Sequence, residues 1–171
     1  MVNLLLPSME PRGKVVVVSS WHGQAWFTYG GVPAPLDGAT FGMFRAYGDS
    51  KLANIQFAYE LSKRNPRLRV ASVHPGMIHT PLGTSRDDSM LASLERWGSA
   101  AFWSLLSPVT KSVAQGAATQ IYALLDASGN TGVPFLLDLA PHPPTADGHN
   151  PEFTAALWKL SEQLVKEALN N

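Results

Sequence analysis

The hydrophobic pattern changes period several times along the chain, and each change predicts an element. Val2-Asn3-Leu4-Leu5-Leu6, closed by Pro7 and a polar turn, reads as the end of a helix over residues 1–10. Residues 14–19 carry Val15-Val16-Val17-Val18 after the turn Pro11-Arg12-Gly13. Four consecutive β-branched residues predict a strand buried on both faces, as in a parallel sheet. Residues 21–46 are rich in glycine, proline and aromatics and predict a long loop, a kind of segment that often carries function. Over residues 47–64, Ala53, Ile55, Phe57, Ala58, Tyr59 and Leu61 leave little polar face. That predicts a helix buried on several sides, stopped by Asn65-Pro66.

Residues 69–74 read as a second short strand, broken by Pro75-Gly76, and a loop follows to about residue 88. Met90, Leu94, Trp97, Ala101 and Leu105 recur at helical spacing. Pro108 and Thr110 open a further helix with the stripe Val113, Ala114, Ala117, Ile121 and Leu125, and Gly129 and Gly132 mark its exit. A third strand is predicted over 133–139 and a loop over 141–149. Asn150 is placed to cap a last helix with Pro151 at its first position, its apolar face being Phe153, Leu157, Leu160, Leu164 and Ala168. Strands alternating with helices predict an α/β fold, a parallel sheet of about three strands with flanking helices.

Length and composition narrow the function classes. The chain has 171 residues and 18.5 kDa, the size of a single domain spanning 1–171. Apolar residues make up 45%, enough for a core. Lys plus Arg is 13 and Asp plus Glu is 13, so the net charge is zero. No electrostatic footprint for nucleic acid or an anionic membrane results. Charged residues are only 15%, which suggests that part of the surface is meant to be covered. Without cysteine there is no disulfide framework and no thiolate metal site, as fits a reducing, cytoplasmic setting. The five histidines show no metal-ligand spacing. No apolar run near the start is long enough for a signal sequence or membrane span, and membrane association is not expected.

Candidate chemistry concentrates in Tyr47-Gly48-Asp49-Ser50-Lys51. Residues four apart share a helix face, and an ammonium beside a phenol favours its ionised form. Tyr47 and Lys51 thus make an acid–base unit, although the same spacing also arises by chance in many helices. Ser19-Ser20 ends the valine strand, 27 residues before Tyr47 counted from Ser20, and His74-Pro75-Gly76 ends the next strand. Ligands bind at such strand ends in open α/β sheets.

Taken in order, the valine run with Ser19-Ser20, then Tyr47-Gly48-Asp49-Ser50-Lys51-Leu52-Ala53-Asn54, then Val73-His74-Pro75-Gly76 with Thr80, resembles the short-chain dehydrogenase/reductase family. Lys111–Thr119 and Leu157–Glu162 resemble its retinol dehydrogenase-like branch, which includes WW-domain-containing oxidoreductases. The resemblance runs from about residue 2 to 168 and implies the C-terminal part of a Rossmann-type doubly wound parallel sheet. It implies an NAD(P)-dependent oxidoreductase interconverting an alcohol and a ketone or aldehyde on an apolar substrate, with NADP slightly favoured by the branch. Tyr47 would exchange the proton with the substrate oxygen. Lys51 would lower the Tyr47 pKa and bind the nicotinamide ribose. Ser20, rather than Ser19, would hydrogen-bond the substrate. Pro75 and Gly76 would face the nicotinamide, with Ile78 and Thr80 holding its carboxamide. Residues 21–46 and 77–108 would set specificity, although the 90–106 stripe with Trp97 and Trp103 also suits plain core packing.

The departures are as specific as the match. The sequence lacks the family's Thr-Gly-x-x-x-Gly-x-Gly turn, which seats the pyrophosphate, and lacks its Asn-Ala-Gly segment and helix asparagine. The resemblance implies that the N-terminal dinucleotide-binding half is missing: four strands, on the order of 100 residues at about 30 per βαβ unit. The valine strand would then have an edge without its partner, open to pairing. The implied partners are a homodimer mate, since the 47–64 helix makes dimer contacts in this family, or a complementary N-terminal half. A rival reading is a non-catalytic remnant that binds a partner through that edge or helix.

Overall fold

The valine run forms β1 (Lys14–Val18), but the strand is half-buried rather than enclosed, and Val18 is 44% exposed. The computed structural model describes residues 2–21, 43–78, 110–125, 135–143 and 146–170. Around β1 it places α1 (Val2–Leu5, running into a 3-10 turn Leu6–Ser8), α2 (Met43–Arg64), β2 (Arg69–His74) and α3 (Val113–Leu125). Then come β3 (Phe135–Leu137), β4 (Ala140–His142) and α4 (Pro151–Asn170). The sheet order is β1-β2-β3-β4. Val15 pairs with Val70 and Val17 with Ser72 in parallel, and Val73 pairs with Leu136, also in parallel. Among the described residues β1 is therefore an edge strand, which is why its valines are only half covered.

The mostly parallel α/β sheet matches the expected class, with four strands instead of three. The difference lies at residues 138–142. Leu137 pairs with Ala140, which closes a two-residue turn on Asp138 (φ 51°) and Leu139 (φ 64°). Two left-handed residues give the turn the twist that a tight hairpin needs. The expected strand over 133–139 thus stops at Leu137, and the expected loop from Pro141 begins as an antiparallel strand. Residues 133 and 134 lie outside the described residues, as does the expected 90–105 helix.

Strand alternation divides the core between two faces. Val15, Val17 and Val70 meet Ala58 and Leu61 of α2 and Trp158 of α4. Val16, Ala71, Val73 and Leu136 meet Ala123 of α3 on the other face. The helix expected from Tyr47 starts earlier, at Met43, and buries Leu52, Ile55, Ala58 and Leu61 as its pattern predicts. Both later helices have the expected type; α3 seats on a different side, and α4 covers its expected face only as far as Leu160. On α3, Val113, Ile121 and Leu125 are 64%, 52% and 74% exposed, whereas Gly116 and Thr119 are buried. The cause is close approach: a Cβ on Gly116 would lie 2.1 Å from Ile78 Cδ1, so α3 seats on its small residues. On α4, Thr154 and Trp158 are buried, while Leu164 and the rest of residues 161–170 stay exposed. Only the first half of α4 lies against α2.

Polar chemistry fixes the helix starts and the α2–α4 contact. Asn150 Oδ1 accepts hydrogen bonds from Glu152 N (2.9 Å) and Phe153 N (3.4 Å), the cap predicted from sequence. Ser112 and Gln115 form a reciprocal capping box ahead of α3, at 2.8 and 3.3 Å. Between α2 and α4, Phe57 stacks on Trp158 (5.6 Å, 4°) and the Arg64 guanidinium lies 4.8 Å from the Trp158 ring. Glu60 accepts from Arg64 Nε (2.8 Å) and Thr154 Oγ1 (3.1 Å). Burial pushes the Glu60 carboxyl up, but these bonds and the Lys63 and Arg64 charges outweigh it and hold it below its usual range.

Candidate active site

The C-terminal end of β1, the first turns of α2 and the loop after β2 form the candidate site. Ser19 N donates to Val73 O at 2.8 Å, which carries pairing one residue past β1. Ser19 and Ser20 are both buried, at 2% and 3% exposure. The Ser19 hydroxyl donates to the Lys51 carbonyl at 2.6 Å and so is committed to α2. That geometry separates the two serines, which sequence spacing alone does not.

Tyr47 and Lys51 lie one helical turn apart, and Lys51 Nζ is 5.4 Å from the Tyr47 ring centroid. Tyr47 remains 42% exposed, so its hydroxyl-bearing ring has access to a ligand, while Gly48 beside it is buried. Asn54, one turn beyond Lys51, donates from Nδ2 to the Val18 carbonyl at 3.0 Å. Helix and strand end are thus joined by two side-chain bonds.

The Pro75–Ile78 segment leaves β2 through Gly76, whose φ of +90° is open to glycine and strained for other residues. Ile78 makes a parallel bridge with Lys111, whose amide donates to Met77 O at 2.8 Å. The Lys111 stem covers Gly76 so closely that a Cβ there would lie 2.8 Å from Lys111 Cδ. Its ammonium pairs with Asp138 in the β3–β4 turn. Thr80 lies outside the described residues. Among the described residues no cluster of His, Asp and Glu is placed to hold a metal, and no helix is long and apolar enough to cross a membrane.

No protein-family model matches the chain. Individual proteins do. A WW domain-containing oxidoreductase of Gallus gallus is 35% identical over 129 residues, covering 72% of this chain and 28% of that protein. The Homo sapiens protein of the same name is 34% identical over 132 residues. Retinol dehydrogenase 12 of Mus musculus is 39% identical over 82 residues, 47% of this chain. The chain belongs to the short-chain dehydrogenase/reductase family. A solved structure of an uncharacterized protein from Mycobacterium paratuberculosis superposes with a TM-score of 0.61 at 26% identity, over 96% of this chain and 54% of that one. The chain therefore spans under a third of these curated short-chain dehydrogenase/reductase relatives.

Three residues of the site region carry no role in the sequence reading. Gly116 was legible in principle, since an isolated glycine in a helical stripe marks a close approach. Lys111 and Asn54 were not, because their partners, Met77 and Asp138 for Lys111 and the Val18 carbonyl for Asn54, lie far along the chain.

Proposed function

We propose that this chain carries the acid–base half of an NAD(P)-dependent oxidoreductase acting on an apolar alcohol or its aldehyde or ketone. The observation that supports it best is the Tyr47–Lys51 pair beside the buried Ser19-Ser20 strand end. Tyr47 gives a proton to the carbonyl oxygen in reduction and takes it from the alcohol in oxidation. Ser20 holds that oxygen. Lys51 keeps a positive charge beside the Tyr47 ring and offers donors to ribose hydroxyls. Pro75, Gly76 and Ile78 form the wall against which a nicotinamide ring would lie, and Thr80 would bond its carboxamide. A phenol and an ammonium beside a buried strand end suit the nicotinamide-ribose end of the coenzyme, and NADP is the form the branch resemblance favours. When bound, the coenzyme supplies or accepts the hydride.

The test uses the 171-residue chain with retinol and NADP in one direction and nonanal and NADPH in the other. Saturable NADPH binding and turnover that Tyr47→Phe lowers by at least about a hundredfold are the expected results. Turnover undiminished in Tyr47→Phe would remove Tyr47 from the chemistry. The open β1 edge favours one second reading, a partner-binding module. Absence of coenzyme binding, together with a stable complex through β1, would establish that reading instead.

A further inference from the structure

We infer that Ser19 and Asn54 act as positioning residues, a two-way clamp that sets the Tyr47–Lys51 helix against the strand end bearing Ser20. This rests on the oxidoreductase reading for its catalytic meaning and on geometry alone for its existence. Arg69 N donates to Gly13 O and Ser19 N donates to Val73 O, so the odd-numbered positions of β1 point their main-chain groups at β2. Main-chain direction alternates along a strand. The Val18 carbonyl consequently points to the open edge, where no described strand meets it. Asn54 supplies its donor at 3.0 Å. In the opposite sense, the Ser19 hydroxyl reaches the Lys51 carbonyl at 2.6 Å.

The two bonds start from adjacent residues of the strand and end three positions apart on α2. The buried face of α2 sets its seat on the sheet. The two bonds of opposite direction add two fixed points beside Tyr47, where the helix passes the strand end. Lys51, whose ammonium faces Tyr47, is itself one of the anchored residues. Both side chains donate to backbone carbonyls, so their effect passes through Lys51, Tyr47 and Ser20.

The experiment compares the full chain with Ser19→Ala, Ser19→Thr and Asn54→Leu. Amide hydrogen exchange is read by mass spectrometry, and kcat and KM are read for nonanal with NADPH. Ser19→Ala and Asn54→Leu should each speed exchange over residues 19–21 by about tenfold, the scale of one lost hydrogen bond. Exchange over Val15 to Val17 and over α4 should stay as in the parent. Misplacement of this kind lowers kcat by roughly ten- to a hundredfold while KM stays within about threefold. Ser19→Thr keeps the hydroxyl and should restore both readouts. The clamp is overturned by unchanged exchange at residues 19–21, by faster exchange across the whole chain, or by Ser19→Thr behaving as Ser19→Ala. A parent chain that reduces no nonanal would count against the oxidoreductase reading, and the exchange data would still decide the clamp.

Discussion

His149 stacks on the Tyr59 ring at 4.5 Å, and its buried Nε2 has no hydrogen-bond partner among the described residues. Burial lowers its pKa below that of an ordinary imidazole. The unfolded chain therefore binds a proton there before the folded chain does. Stability from this group is full above about pH 6.5 and is lost as pH falls from there through the lower folded value. Urea midpoints should drop on acidification between about pH 7.5 and 5, with a shallower slope in His149→Phe. An identical slope in the variant would place the dependence elsewhere. Glu60 acts in a separate, more acidic window. Its folded pKa lies below 4.5, so its contribution is present above that value and is lost as pH falls through the folded one. At Gly116 the issue is volume. Gly116→Ala pushes a methyl into Ile78 and should cost about 1–3 kcal/mol in denaturant unfolding.

At the scale of elements, Asn150 is the clearest case of a boundary written in sequence. Asn150→Ala removes the acceptor for Glu152 N and should cost about 1 kcal/mol in a chemical melt. The β2 strand, the α2 stripe and this cap were all readable, because each depends on local pattern. The buried side of α3 was not, nor was the exposure of α4 beyond Leu160. Apolar stripes on α3 predict a core face, but which face seats is decided by how closely the helix must approach Ile78. The β3–β4 hairpin was missed for a related reason: Asp138-Leu139 lacks the glycine that usually marks a tight turn, yet both residues adopt left-handed backbone. Within the site, the shared helix face of Tyr47 and Lys51 was legible from spacing. Ser19's bond to the Lys51 carbonyl joins residues 32 positions apart and has no local signal.

Across the whole molecule, the open β1 edge and the low charge fraction point the same way. Val18 is exposed at the edge, and no described strand pairs with that edge. Val18→Lys should reduce concentration-dependent light scattering with little change in the unfolding midpoint, since charge on an edge strand deters pairing. Equal scattering in parent and variant would show that β1 is not the sticky surface. The order of the strands also has a consequence in time. Leu137 finds Ala140 across a two-residue turn, so the hairpin closes on a scale of about 1–10 μs. Lys14 finds Arg69 only after all of α2 has been made, and Trp158, which roofs the cluster of Ala58, Leu61 and Val70, follows far later still. During synthesis that cluster stays without its Trp158 cover until α4 emerges, and apolar surface left open in that interval is where misassembly starts.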